Sequence, residues 1–241
     1  MLASTKDSAN NMFVNKSLIA EAPTQRTSIK VEQLAGKRSR NLDLAMKRLF
    51  DVAISAISLL VLLPLLLVIA ALIRVESKGS PIFSQIRWGK SGQKIMVYKF
   101  RSMRIDAGDP TGVKQTVRND PRITRLGGIL RKTNLDELPQ LYNVLRGDMS
   151  LVGPRCHAIG MLAAGMPYEE LVPSYHKRHV MRPGLTGLAQ MRGLRGPTDR
   201  AAKARARIHA DLYYVEHFSF AFDIKIMLGT IRSELTGGKG F

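Results

Sequence analysis

The sequence predicts a mainly helical α+β protein in which a membrane helix precedes a globular domain. Three observations carry that reading. The run from Val52 to Ile73 contains no charged residue and is bounded by Lys47, Arg48 and Asp51 on one side and Arg74 on the other. Pro81 to Gln85 and Lys94 to Phe100 flank Trp88-Gly89-Lys90-Ser91-Gly92, the signature of a β-hairpin with a glycine-containing loop. Most of the chain beyond the hairpin falls into helical-period windows separated by Gly and Pro, with little further strand signal.

The apolar run reaches about 33 Å as a straight helix, enough to cross a bilayer core, and lies too far from the N-terminus for a signal peptide. Pro64, near its middle, cannot donate to the Leu60 carbonyl, so the helix is expected to bend or break there. Cations flank both ends: Lys37, Arg38, Arg40, Lys47 and Arg48 before, Arg74 and Lys78 after. Neither flank looks translocated. From these residues alone, a helix that turns at Pro64 and leaves on the side it entered and an ordinary kinked transmembrane helix both remain open.

The chain divides accordingly. Residues 1–44, rich in Ser, Thr, Asn, Lys and Ala, read as a mostly disordered basic tail. Residues 45–75 form the membrane helix and 76–241 the globular domain. Within that domain helices are expected over 134–146, 157–164, 168–178, 199–216 and 221–235. The polar stretch from Ser102 to Asn119, with Gly108, Pro110 and Gly112, reads as a mobile loop near the site.

Composition narrows the partners. In 241 residues, 37 Lys and Arg against 19 Asp and Glu give a formal charge of +18, which seeks anions: nucleic acid, anionic lipid or nucleotide substrates. Aromatic content is only 6%, and no aromatic interleaves the basic run Lys177 to Arg207, so a stacking platform for single-stranded nucleic acid is missing. That run reads as a solvated or membrane-docking face, or a funnel for a nucleotide diphosphate. The lone cysteine, Cys156, excludes an intramolecular disulfide and reads as a passive buried thiol. The histidines lack zinc-site spacing, and His176 and His179 read as solvated or phosphate-facing.

Chemistry concentrates between Arg131 and Arg155. Asp136 and Glu137 are adjacent, with Arg131 and Lys132 before them and Arg146 and Arg155 after. Arginines can hold phosphates while the carboxylates serve as nucleophile, base or metal ligand. Local structure explains the same residues: Thr133 and Asp136 fit a helix N-terminal cap, and Leu135, Leu138, Leu141, Tyr142 and Leu145 mark one face of a helix that Arg146 and Gly147 end.

From Lys47 to the C-terminus the chain resembles the bacterial sugar transferases, the monotopic phosphoglycosyl transferases. The resemblance rests on ordered blocks: Lys47-Arg48-Leu49-Phe50-Asp51, Gly79-Ser80-Pro81-Ile82-Phe83, Tyr98-Lys99-Phe100-Arg101-Ser102-Met103 and Leu135-Asp136-Glu137-Leu138-Pro139-Gln140-Leu141. It continues through Gly147-Asp148-Met149-Ser150-Leu151-Val152-Gly153-Pro154-Arg155, Arg182-Pro183-Gly184-Leu185-Thr186-Gly187, Asp211, Tyr213-Tyr214-Val215 and Asp223-Ile224-Lys225. It departs from the family pattern where Leu63 rather than Ser precedes Pro64, where Cys156 replaces a proline, and over Gln190-Met191-Arg192-Gly193-Leu194-Arg195, a region that the resemblance brings near the sugar.

The resemblance implies a re-entrant membrane helix, broken at Pro64, with a cytosolic helical catalytic domain at the cytoplasmic face of a bacterial inner membrane. It implies transfer of a sugar 1-phosphate, galactose or glucose by analogy, from a UDP-sugar to undecaprenyl phosphate, with release of UMP, at the start of exopolysaccharide assembly. The aspartate matching Asp136 is the covalent nucleophile, and Glu137 assists as metal ligand or base, with Mg²⁺ as cofactor held by Asp136 and Glu137. Lys99, Arg101, Arg131, Arg155, Arg182 and Asp223 match positions associated with substrate. Partners implied are the two substrates, membrane lipid, downstream glycosyltransferases and a homodimer as a candidate assembly, without nucleic acid. The alternative from composition is a basic membrane-associated RNA- or lipid-binding protein without catalysis.

Overall fold

The computed structural model describes residues 24–104 and 120–236, in two units, Met1–Asp43 and Leu44–Phe241. Most of the expected tail and of the expected 102–119 loop thus lies outside the described residues. From Thr24 the backbone is helical, and α1 runs Thr24–Glu76 with Pro64 inside it. The helix is not divided at Pro64, so the expected break does not split it in two. One missing hydrogen bond leaves the neighbouring turns bonded.

From Lys47 onward α1 presents one stripe to the globular domain. Lys47, Asp51, Ser55, Ile69 and Ile73 are buried, and Leu59, Leu62 and Leu66 pack between them against core side chains. This spacing of three and four residues is one face of an α-helix. The opposite face is bare: Leu60 is 74% and Val61 69% exposed. The Ser39–Glu76 portion is long and apolar enough to cross a membrane, and little of its apolar window is buried.

Polar anchors fix the start of the stripe. Lys47 Nζ donates to the Val152 carbonyl at 2.7 Å and to Asp223 Oδ2 at 2.6 Å, and Asp51 Oδ1 accepts from the Leu151 amide at 2.9 Å. Arg48 donates to the Val144 and Leu145 carbonyls. At the other end Arg101 donates to the Ser77 and Lys78 carbonyls at 2.7 and 2.6 Å.

After α1 the hairpin forms as expected from β1 (Ile82–Trp88) and β2 (Lys94–Phe100), in register from Ile82 opposite Phe100 to Trp88 opposite Lys94. Its loop turns through Ser91 and Gly92, both at positive φ. Next comes α2 (Arg125–Lys132), absent from the expected helices; Thr124 caps it by accepting from the Gly127 amide at 2.9 Å. Only Leu126 and Leu130 serve as its apolar anchors, packed on Ile69 and Ile73 of α1, too short a pattern to read from sequence.

The helix expected over 134–146 is interrupted. A 3₁₀ turn, Leu135–Glu137, precedes α3 (Gln140–Arg146), which ends at Gly147 with φ 95°, as its glycine suggests. Thr133 does not cap this segment: its hydroxyl donates back to the Ile129 carbonyl at 2.9 Å, closing α2. Asn134, at φ 56°, makes the turn between the two.

Strand β3 (Ser150–Val152) pairs in parallel with β6 (Gly184–Thr186), a pairing with no local signal because the strands are three residues long and distant in sequence. A Cβ at Gly153 or Gly184 would collide with backbone across this contact. The helix expected over 157–164 is absent; Leu162–Ala163 (β4) pairs with Met166–Pro167 (β5) instead. The 168–178 helix is reduced to α4 (Tyr168–Leu171) and a 3₁₀ segment, Tyr175–Val180, with Pro173 between them. After β6 come short α5 (Leu188–Met191), then α6 (Ala201–Glu216) and α7 (Phe220–Leu235), the last two close to expectation.

Replacing Lys47 by Met leaves Asp223 buried without its cation and is expected to cost about 3–5 kcal/mol. Denaturant unfolding in detergent would measure the loss, and Lys47→Met with Asp223→Asn should recover most of it.

Candidate active site

The dyad sits on the 3₁₀ turn between α2 and α3. Leu135 packs toward Ile69, Ile73 and Leu130, while Leu138 packs into the main core beside Leu141 and Val144. Two apolar anchors thereby fix the intervening carboxylates. Asp136 is 7% exposed.

The two carboxylates have opposite surroundings. Glu137 Oε1 accepts from Lys99 Nζ at 3.0 Å and from Arg155 Nη2 at 2.5 Å, and Oε2 faces Arg155 Nη1 at 3.3 Å. Burial would raise its pKa, but Arg155 and then Lys99 hold it well below the usual carboxylate range. Asp136 has no hydrogen-bond or ion-pair partner among the described residues. Burial raises its pKa above 3.8, and Lys99, Arg131 and Arg155 only partly offset this against repulsion from Glu137. One carboxylate is bound by cations, and its neighbour is uncommitted.

A cavity of about 480 Å³, within the size of ligand sites, opens beside the dyad. Lys99, Arg131, Glu137 and Arg155 line it, with Arg87, which sequence reading missed. Asp136 itself is not among the lining residues; its neighbours Asn134 and Glu137 are. Four cations against two carboxylates make this end electropositive, and burial lowers the pKa of Lys99, weakening its hold on its proton.

Behind Arg155 stands a buried chain that sequence reading also missed. Arg178, 1% exposed, donates to the Arg155 carbonyl and lies 2.7 Å from Asp211 Oδ2. Its Nη1 meets His157 Nδ1 at 2.9 Å. A guanidinium only donates, so Nδ1 accepts and His157 is neutral with its proton on Nε2; burial, then Arg178, pushes its pKa well below 6.5. Asp211 is raised to about 6 by burial, moderated by Arg178. Arg178 and Arg207 are buried, which corrects the solvated reading at those two positions, while Lys177, Arg192, Arg200 and Arg205 of the same run are exposed as expected. His179 is corrected likewise. It is 8% exposed among Trp88, Tyr175 and His176, with its pKa lowered to about 4 by burial and then Arg178. Cys156 is buried as expected.

Three expected substrate residues lie elsewhere. Arg101 binds the carbonyls after α1, Arg182 Nε donates to the Gly147 carbonyl at 2.8 Å, and Asp223 Oδ1 accepts from the Tyr214 hydroxyl at 2.7 Å while Oδ2 takes Lys47. None lines the cavity.

Residues 42–237 match the family described as bacterial sugar transferase. The chain is a bacterial sugar transferase by family. It is 67% identical over 200 residues to the exopolysaccharide production protein PSS of Rhizobium leguminosarum bv. phaseoli, covering 83% of this chain and 100% of that one. It is 47% identical over 190 residues to the UDP-glucose:undecaprenyl-phosphate glucose-1-phosphate transferase of Caulobacter vibrioides, covering 79% and 70%. The protein of that name from Klebsiella pneumoniae is 45% identical over 190 residues, but the transferase chain spans only 40% of its length.

The raised Asp136 pKa makes an expectation for the pH profile. In the nucleophile role that the resemblance implies for Asp136 the carboxylate must be ionised, so the expected UMP release from a UDP-sugar should fall as pH drops, with an apparent pKa above 3.8. Removing Lys99, the largest charge holding that value down, should move this acid limb upward in Lys99→Met. An unmoved limb in an initial-rate profile over about pH 4 to 8 would assign it to another group. The stability contributed by Glu137 falls in the same direction, toward acid. Its lowered pKa gives stabilisation that is complete above 4.5 and lost as pH falls toward the folded-state value.

Proposed function

We propose that this bacterial sugar transferase moves a hexose 1-phosphate from a UDP-sugar to undecaprenyl phosphate through an aspartyl phosphosugar at Asp136. The observation that carries the reading is the uncommitted Asp136 carboxylate, ringed by Lys99, Arg131 and Arg155, beside a Glu137 whose charge is already paired. An Asp136 oxygen bonds to the sugar-bearing phosphorus, the bond to the bridging oxygen breaks, and UMP leaves. An oxygen of undecaprenyl phosphate then attacks the same phosphorus, giving polyprenyl diphosphosugar and freeing the carboxylate. No deprotonation of the nucleophile is needed at neutral pH, and phosphoryl transfer depends mainly on placement and charge neutralisation. Lys99, Arg131 and Arg155 supply both, while Glu137 orients Lys99 and Arg155. The names of the Caulobacter and Klebsiella relatives support the substrate pair, with UDP-glucose as donor and glucose 1-phosphate as the group transferred.

Among the described residues no group of three or more His, Cys, Asp and Glu could hold a metal ion. Magnesium is commonly held by one or two carboxylates plus substrate phosphates, and Asp136, with the lone pairs Glu137 has left, fits that mode. When bound, Mg²⁺ would neutralise phosphate charge.

The lie of α1 supports an anchor that does not cross. Its buried stripe runs beside the globular domain from Lys47 to Ile73, about 39 Å at the usual helical rise. A perpendicular crossing would carry that domain into the bilayer, where its charged surface is costly. An anchor bent rather than divided at Pro64, so that both ends stay on the cytoplasmic face of the inner membrane, keeps the domain in water and Leu60, Val61 and Leu67 in lipid. There the site meets a soluble donor and a membrane acceptor together.

In membrane reconstitution with undecaprenyl phosphate, Mg²⁺ and UDP-sugars, Asp136→Asn is expected to abolish UMP release; release at the wild-type rate would remove the covalent role. Single cysteines at Ser28 and Lys239, in a Cys156→Ser background, should label from the same side in intact cells. Labelling from opposite sides would establish a crossing helix.

A further inference from the structure

The cavity has a second polar region away from the cationic cluster. Glu234, near the end of α7, accepts from Asn134 Nδ2 at 3.2 Å through Oε2 and pairs through Oε1 with Arg195. Thr186 and Thr230 meet hydroxyl to hydroxyl at 2.8 Å. All five residues line the cavity. They come from four separate parts of the chain: the dyad turn, β6, the loop after α5, and α7.

A carboxylate in a cavity for a polyanion is unfavourable unless it is neutralised or has other work. Here Arg195 neutralises it, so the pair carries no net charge and adds nothing to phosphate binding. What it offers is a planar carboxylate and a guanidinium beside an amide and two hydroxyls. Such a set exchanges hydrogen bonds with neighbouring sugar hydroxyls, which both donate and accept. The side chains of Arg195 and Glu234 are 22% and 35% exposed, within reach of a ligand, whereas the Glu137 side chain is 15% exposed.

Location separates sugar from nucleotide. Asn134 opens the turn that carries Asp136. In-line displacement sends the leaving nucleotide away from the attacking oxygen, while the sugar stays on the phosphorus beside the enzyme. Groups tied to the nucleophile's own turn therefore border the sugar. We propose that Glu234, held between Asn134 and Arg195, binds hydroxyls of the transferred hexose and is a specificity-determining residue. This rests on the transferase reading above.

The test uses full-length protein in lipid nanodiscs, with wild type and Glu234→Gln compared on UDP-glucose, UDP-galactose and sugar-free UDP as inhibitor. The exchange keeps shape and one acceptor but removes the charge. It is expected to raise KM for the better donor about tenfold, as for loss of one charged hydrogen bond, and leave inhibition by UDP within about twofold. The ratio of kcat/KM between the donors should move toward one. An unchanged donor ratio, or a loss of UDP inhibition parallel to the rise in KM, overturns the proposal. Wild-type protein that binds UDP but releases UMP from neither donor refutes the transferase reading instead. Equilibrium binding of UDP-glucose and UDP then still decides the subsite, since an equal Kd ratio in wild type and Glu234→Gln overturns it.

Discussion

The pairing of Glu137 with Lys99 and Arg155 is the constraint on which the site depends. It ties three distant pieces of chain: β2 through Lys99, the segment after β3 through Arg155, and the dyad turn itself. The ions are largely buried, so the removal of any one leaves the others uncompensated, which is far costlier than loss of a surface pair. This single arrangement has two effects. The cations are held where a phosphate can meet them, and Glu137, in satisfying them, leaves Asp136 as the carboxylate with bonding capacity to spare.

The same chemistry recurs through the fold and gives the basic composition a structural meaning. Lys47, Arg48, Arg87, Arg101, Arg178, Arg182 and Arg207 all donate to backbone carbonyls. Sheets that have only two strands each among the described residues leave many loop and helix-end carbonyls without ladder partners, and buried carbonyls must find donors. Arg48 serves the end of α3 and Arg101 the end of α1, as cations favourably do at helix C-termini. Part of the +18 charge is therefore internal scaffolding rather than a surface for anions.

This explains what the sequence reveals and what it hides. The α1 apolar run, the hairpin, α6 and α7 are legible because each carries its own periodicity over seven residues or more. The dyad with Arg131 and Arg155 is legible as charges gathered around an acidic pair, whereas Lys99, on β2, is reached only through the family resemblance. Arg101, Arg182 and Asp223 carry the same residue types, yet geometry assigns them to carbonyls and to Lys47, since charge in a sequence does not say which way a side chain turns. The Arg178–Asp211 pair, the β3–β6 pairing and the Asn134–Glu234–Arg195 contact join residues far apart in the chain. No local pattern encodes such meetings. Thr133 shows the reverse error: a correct capping residue by type ends the preceding helix rather than starting the next.

The anchor and the site share one frame through β3. Asp51 of α1 takes the Leu151 amide, Lys47 takes the Val152 carbonyl together with the Tyr214 hydroxyl, and Gly153-Pro154 leads directly to Arg155. From Lys47 to Arg155 to Glu137 the path consists of two buried or half-buried polar contacts joined by the three peptide bonds from Val152 to Arg155. In the proposed anchor, the depth at which lipid holds the bare face of α1 therefore sets the height of the dyad. A loosely tethered domain would have to search for a head group that itself diffuses in two dimensions. With rigid coupling that search is already confined to the plane, and orientation is supplied by the fold rather than at the moment of reaction.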